Sequence, residues 1–174
     1  ELGATEERYY HLVLLAENNE GYQNLMKIVS QGFIDGFYYK PRIDKEVLKK
    51  YNKGIIALSA CLGGEVAMNL RRGFYEEAKI AALSYLDIFG EDNFFLELQD
   101  HGISEQKTVN QGLIRMSQET GIKLVVTNDV HYTYEEDADS HDILLCIQTQ
   151  KKVSDENRMR YDRGKYYLKS TQEM

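Results

Sequence analysis

Short apolar runs of strand length recur along this chain with helix-length segments between them, and that alternation constrains the fold more than any other feature. Residues 11–16, 54–60, 94–98 and 123–128 are such runs, each bounded by glycine or by polar turn residues. The segments between them carry apolar groups at helical spacing. Asn18 or Asn19 can cap a helix through Tyr22, Leu25, Met26, Val29 and Phe33, ended by Gly32 and Gly36. An aromatic loop, 37–41, holds the only proline, and Asp44 then caps a short helix through Val47, Leu48 and Tyr51. Further helices are expected over 65–71, through Ala78, Ala82, Tyr85 and Phe89 to Gly90, and from a Ser104 cap through Val109, Leu113 and Met116 to Gly121. An acidic turn, 135–139, opens a last helix with Ile143, Leu144, Cys146 and Ile147 on its apolar face. Strands separated by helices argue for parallel pairing and an α/β architecture. Four strands are too few to close a barrel of about eight, so the sheet is either small and open or part of a barrel that continues outside this sequence.

Chemistry enters at the strand ends. The run 123–128 closes in Asp129-Val130-His131. On an extended backbone, alternation with period two would put that carboxylate and that imidazole on one side, a chelating arrangement at a place where α/β sheets bind ligands. The chain has four histidines and two cysteines, and several fall at comparable places. Cys61 follows the 54–60 run, His101 follows 93–100, and His11 opens 11–16. Asp129 and His131 supply oxygen and nitrogen donors suited to zinc, manganese or iron. The bland readings stay open beside this one: Asp129 as a turn cap, Cys61 as a small buried hydrophobe, His11 as a satisfied core histidine, His101 as a loop residue. His141, in the first turn of an acidic helix beside Asp142, reads as structural or as a neighbour of ligands, and Cys146 reads as core.

Composition bounds the function class. At 174 residues, with 43% hydrophobic and 28% charged residues, the chain suits one soluble domain or a large piece of a bigger one. No run approaches the roughly 20 apolar residues needed to span a bilayer, so no membrane partner is expected. The two cysteines suggest no disulfide framework, which makes a reducing cytoplasm the expected location. A net charge of -7 argues against the whole surface being a nucleic-acid footprint. The basic cluster Lys151, Lys152, Arg158, Arg160, Arg163 and Lys165 is interleaved with Asp155, Glu156 and Asp162 and reads as a solvated charged face. Both ends look cut: no initiator Met is present, and Ser170-Thr171-Gln172-Glu173 is a capping-box pattern for a helix the chain does not contain.

Taken together, residues 10–16, 20–25, 58–65, 127–132, 145–149 and 167–170 resemble the polymerase-and-histidinol-phosphatase (PHP) domain of the α subunit of bacterial DNA polymerase III, in register across essentially the whole chain. The resemblance implies a partial, distorted (β/α) barrel that lacks its N-terminal strands. It implies a PHP domain over 1–165, with 166–174 starting the connection to the polymerase region. It carries over four metal ligands, His11, Cys61, Asp129 and His131, while the family's other ligands (an H-x-H strand, an aspartate, a further histidine and a glutamate) lie upstream of the first residue here. His101 and His141 fall near the expected site as its neighbours. The cofactors implied are divalent ions, zinc or manganese ahead of magnesium.

The implied chemistry of the intact parent is metal-dependent phosphodiester hydrolysis, a 3′–5′ exonuclease, within a DNA-directed DNA polymerase acting in replication. The implied partners are DNA, through the parent, and other replicase subunits, including a separate proofreading exonuclease. Two alternatives stand beside it: a non-catalytic interaction module of the replicase, and a free-standing phosphoesterase. Unpaired strand edges predict self-association, or disorder near residues 1–10.

Overall fold

The structure, a computed structural model, describes residues 9–174. Four strands and six helices alternate in the order β1 (Val13–Ala16), α1 (Asn19–Ile34), α2 (Lys45–Lys50), β2 (Ile55–Leu58), α3 (Glu65–Arg71), α4 (Tyr75–Phe89), β3 (Phe94–Leu98), α5 (Ser104–Thr120), β4 (Lys123–Val126) and α6 (Ala138–Thr149), with a single 3-10 turn at Glu135–Asp137 before α6. The sheet runs β1-β2-β3-β4. The chain forms two compact units: one runs to Leu98 and takes in Thr108–Val125, and the other is Gln99–Lys107 with Val126–Met174.

In the first unit, β2 and β3 pair in parallel, Ala57 opposite Phe94 and Leu58 opposite Phe95. Ile55, Ala57, Phe94 and Leu96 are fully buried, so one face of the strand pair is core, as alternation requires. Against it pack Ile28 of α1, Leu48 of α2, Val66, Ala67 and Leu70 of α3, Ala78, Ala82 and Phe89 of α4, and Val109, Leu113 and Met116 of α5. The expectation of parallel pairing fails at β1, which is antiparallel to β2 with Val13 opposite Leu58 and Ala16 opposite Ile55. The geometry is local: Glu17 N–H donates to Gly54 O, so the chain leaves β1 beside the start of β2.

Two caps act as the sequence predicts. Asn18 Oδ1 accepts from Gly21 N–H, and Asp44 Oδ1 accepts from Val47 N–H, both at 2.9 Å. Gly32 does not end α1; it lies buried within the helix, which runs on to Ile34. Ser104 is not a cap either. It is the first helical residue, and its hydroxyl donates to Glu105 at 2.9 Å. A tyrosine anchors the inner side of α4: the Tyr85 ring lies 5.6 Å from Phe94 and its hydroxyl donates to Glu65 at 2.7 Å. Burial, then the Glu65 carboxylate, raises that phenol well above its ordinary range.

The second unit is built on loops and one helix. Residues 128–133 run alongside 165–168: His131 N–H donates to Tyr166 O at 2.8 Å, Leu168 N–H to Thr133 O at 3.2 Å, and Tyr132 bridges Tyr167 in parallel. On α6 the buried residues are Leu145 and Cys146, whereas Ile143, Leu144 and Ile147 are exposed. That departs from the expected apolar face, although Cys146 is core as expected. The inner side of the helix, where half-buried Asp142 lies beside Leu145 and Cys146, carries an ion pair: Arg158 donates to both oxygens of Asp142 at 2.6 Å. The side chain of Arg158 is only 1% exposed, so it leaves the solvated face on which the sequence placed it. The Ser170–Glu173 pattern forms a turn in which Ser170 N–H and Oγ–H both reach Glu173 Oε2. Among the described residues, no helix is long and apolar enough to cross a membrane.

Candidate metal centre

The first unit brings His11 and Cys61 together. His11 precedes β1, and its N–H donates to Gly63 O at 2.9 Å. The turn after β2 starts with Ala60 in the left-handed region (φ 66°) and closes with Gly64 N–H on Cys61 O. Gly63 lets the imidazole approach, since a Cβ there would sit 3.1 Å from His11 Nδ1. The result is Cys61 Sγ 3.5 Å from His11 Nδ1, at the surface. A tetrahedral zinc with Zn–S of about 2.3 Å and Zn–N of about 2.0–2.1 Å separates two such ligands by about 3.5 Å. The pair therefore fits one edge of a metal site. His11 is exposed rather than a core histidine, and Cys61 is half-buried.

Asp129 and His131 belong to the second unit. The strand does not reach them as the sequence suggests: β4 ends at Val126, and most of it is exposed. Asp129 takes a left-handed backbone (φ 44°), so the alternation of an extended chain stops there. Aspartate tolerates that conformation better than most residues. Asn128 fixes the turn, its amide donating to Lys165 O at 2.8 Å and to Tyr167 O at 2.7 Å. Through it, His131 Nδ1 comes 2.6 Å from the carbonyl oxygen of Asp129. A carbonyl only accepts, so Nδ1 carries a proton, and in the neutral ring the lone pair is therefore on Nε2. This is the outer bond that sets which nitrogen of a histidine can ligate a metal.

Aromatic rings surround His131. Tyr161 lies 4.7 Å from it, Tyr166 5.6 Å and His141 5.7 Å, centroid to centroid. Partial burial lowers the pKa of His141 below the usual imidazole value; the nearby His131 lowers it further and Asp142 opposes. Burial pushes the Tyr166 phenol up to about 12, and the carboxylate of Asp129 adds to the shift. A small hollow beside this cluster, with room for about one water molecule, is lined by Tyr132, His141, Asp142, Tyr161 and Arg163 among others. His101 is buried in the same unit, 2% exposed, with its ring stacked 4.1 Å from Tyr166.

Sequence reasoning missed Gln106, Asn128, Tyr161 and Tyr166. Only Asn128 left a signal, as a polar residue closing an apolar run ahead of Asp129. Among the described residues, no three His, Cys, Asp or Glu side chains gather where they could hold an ion together.

The comparisons with known proteins agree with the family resemblance carried by the sequence. The family model for the PHP domain matches residues 1–101. The chain is 49% identical to the DNA polymerase III subunit alpha of Treponema pallidum over 96% of its own length. Identity to the proteins of that name is 47% over 95% of the chain in Borreliella burgdorferi and 48% over 97% in Deinococcus radiodurans. It spans only 13–14% of the length of these relatives. With more than half of its residues inside the family model and 95–97% of its own length matched by these relatives, this chain belongs to the PHP domain family.

Proposed function

We propose that this chain serves as the PHP domain of a bacterial DNA polymerase III α subunit, in the cytoplasm, and that His11, Cys61, Asp129 and His131 are donors to divalent metal. The observation that carries the metal reading is the 3.5 Å separation of Cys61 Sγ and His11 Nδ1, the ligand-to-ligand edge of a tetrahedral zinc or a similar ion. The free Nε2 of His131 supports it. A bound zinc or manganese ion would lower the pKa of a water and polarise a phosphoryl oxygen, the chemistry of phosphodiester hydrolysis and of a 3′–5′ exonuclease.

The chain's own contribution is positional. Gly63 lets the His11 ring lie against the Cys61 turn, and the left-handed Asp129 turns His131 so that Nδ1 is spent on a carbonyl. We read the four-stranded sheet as part of a PHP-type distorted barrel. DNA and other replicase subunits are the proposed partners. A second copy is a further one, through Tyr22, Met26, Val29 and Phe33, which α1 leaves exposed; light scattering of a Phe33→Glu variant tests this, and an unchanged mass would refute it.

Cobalt substitution tests the metal reading. Wild-type protein titrated with Co²⁺ should develop a thiolate-to-cobalt absorption band in the near ultraviolet, and Cys61→Ser should abolish it. A wild type with no such band would overturn Cys61 as a ligand. A second reading, a non-catalytic interaction module of the replicase, is favoured by one observation: no three donors gather among the described residues. Nuclease assays on the full-length parent separate the two readings. Metal-dependent release of 3′ nucleotides that is lost in His131→Ala supports the hydrolase.

A further inference from the structure

We propose that His101, which is not itself a metal ligand, is a positioning residue for the Asp129–His131 donor pair. The inference rests on the reading of Asp129 and His131 as metal donors and adds how their geometry is set.

The hydrogen bonds around the ring settle its tautomer. Gln106 Oε1 accepts from the backbone N–H of His101 at 2.8 Å. A backbone N–H can only donate, so the oxygen of that amide is assigned and its nitrogen is the atom 2.8 Å from His101 Nδ1. Nδ1 is therefore the acceptor. The other ring nitrogen, Nε2, faces the carbonyl oxygen of Asn128 at 2.9 Å; a carbonyl cannot donate, so Nε2 carries the proton. The neutral Nε2–H form satisfies every polar atom of a ring that is almost wholly buried. The other tautomer would set N–H against N–H on the Gln106 side and lone pair against lone pair on the Asn128 side.

What the ring holds is the peptide that leads into Asp129. The Asn128 carbonyl accepts from His101, while the Asn128 side chain donates to Lys165 O and Tyr167 O. Asn128 is thus gripped at both its main chain and its side chain. Its peptide plane is fixed on the near side of the left-handed Asp129 (φ 44°), whose carbonyl in turn takes the Nδ1–H of His131. The His101 carbonyl accepts from Lys165 Nζ at 2.8 Å, and the ring stacks on Tyr166, whose own carbonyl receives His131 N–H. From Gln106 to His131 the bonds form one connected chain. Outer partners of this kind typically change metal affinity about 10–100-fold when removed.

Two conservative variants separate positioning from mere packing. In His101→Gln the amide nitrogen reaches about as far as Nε2 and keeps the donor to Asn128. In His101→Asn the amide reaches only as far as Nδ1, so it can face Gln106 but cannot reach Asn128. Zinc affinity is measured by competition with a chromophoric chelator. Alongside it, the H–N–Cα–H coupling of Asp129 reports the left-handed φ without any metal, and the ¹⁵N shifts of His101 report its tautomer.

The account expects a protonated Nε2. It also expects His101→Gln near wild type, and His101→Asn with about 10–100-fold weaker zinc binding and a changed Asp129 coupling. A protonated Nδ1, or a His101→Asn variant that keeps both the affinity and the coupling, overturns it. Should wild type bind no zinc, the metal reading is what fails, and the Asp129 coupling in His101→Asn alone decides whether His101 positions the turn.

Discussion

Arg158 and Asp142 form a two-pronged ion pair, Nη1 to Oδ1 and Nη2 to Oδ2, both at 2.6 Å, that joins the loop after α6 to the inner side of that helix. Arg158, through its hydrogen bonds, keeps the Asp142 carboxyl below the usual range. A pair drawn out of water is costly to break from one side, because the remaining charge is left without its partner. Arg158→Ala should therefore lower the melting midpoint more than the paired replacement Arg158→Met with Asp142→Leu, which removes both charges. Thermal denaturation followed by circular dichroism checks this order; a double variant less stable than the single one would refute it.

Gly21 and Gly54 meet backbone to backbone. A Cβ at Gly21 would sit 1.8 Å from the carbonyl oxygen of Gly54, which itself has φ 68°. No side chain can yield there, so the start of α1 would have to move off β2. Gly21→Ala should destabilise the chain by about 3 kcal/mol, at the upper end of overpacking effects, despite the better helix propensity of alanine. Urea unfolding measures it, and a change below about 0.5 kcal/mol, within the range of ordinary surface substitutions, would contradict the packing described.

Glu119 collects Lys79 and Arg115 at 2.7 Å each and the Tyr75 hydroxyl at 3.0 Å. Lys79 first, then Arg115, lower its carboxyl from 4.5 to about 2. A carboxylate with a depressed folded pKa adds stability that is fully present above the unfolded value and is lost as pH falls through the folded one. The stability difference between wild type and Glu119→Gln should thus be constant above pH 4.5 and shrink toward zero as pH approaches 2. Urea midpoints at several pH values test this. A difference that grew on acidification would have the wrong sign.

Asn128 holds two carbonyls of the 165–167 segment. Asn128→Ala leaves both without that donor, at about 1–3 kcal/mol for each group that stays buried and unsatisfied. The loss should be confined to the second unit. Hydrogen exchange should speed up at His131 and Leu168 while Ala57 and Ser59 keep their protection.

Much of the first unit was legible in the sequence because its signals are local. Phe94–Leu98 and Glu65–Arg71 fall where the apolar runs and glycine turns place them, and Asn18 and Asp44 cap as their side chains predict. The antiparallel pairing of β1 was not legible, since apolar alternation is the same for either strand direction. The candidate site was legible in residue type more than in geometry. The pairing of Cys61 with His11 joins residues 50 apart in the chain, and the left-handed turn at Asp129 breaks the alternation from which its side had been read. The second unit hid best. Its order comes from side chains bonding to distant carbonyls, Asn128 to residue 165 and His101 to residue 128, and such bonds leave no period in a sequence. The part of the self-association expectation that concerns residues 1–8 lies outside the described residues; Tyr9 and Tyr10 are exposed.

The central claim is that this chain carries metal donors in its own residues, and elemental analysis after equilibrium dialysis against zinc tests it most directly. Wild type, Cys61→Ala and His131→Ala are dialysed side by side, with circular dichroism to confirm that all three are folded. The account predicts zinc retained by the wild type and less retained by each variant. Equal zinc in all three folded proteins, or none in the wild type, would contradict it.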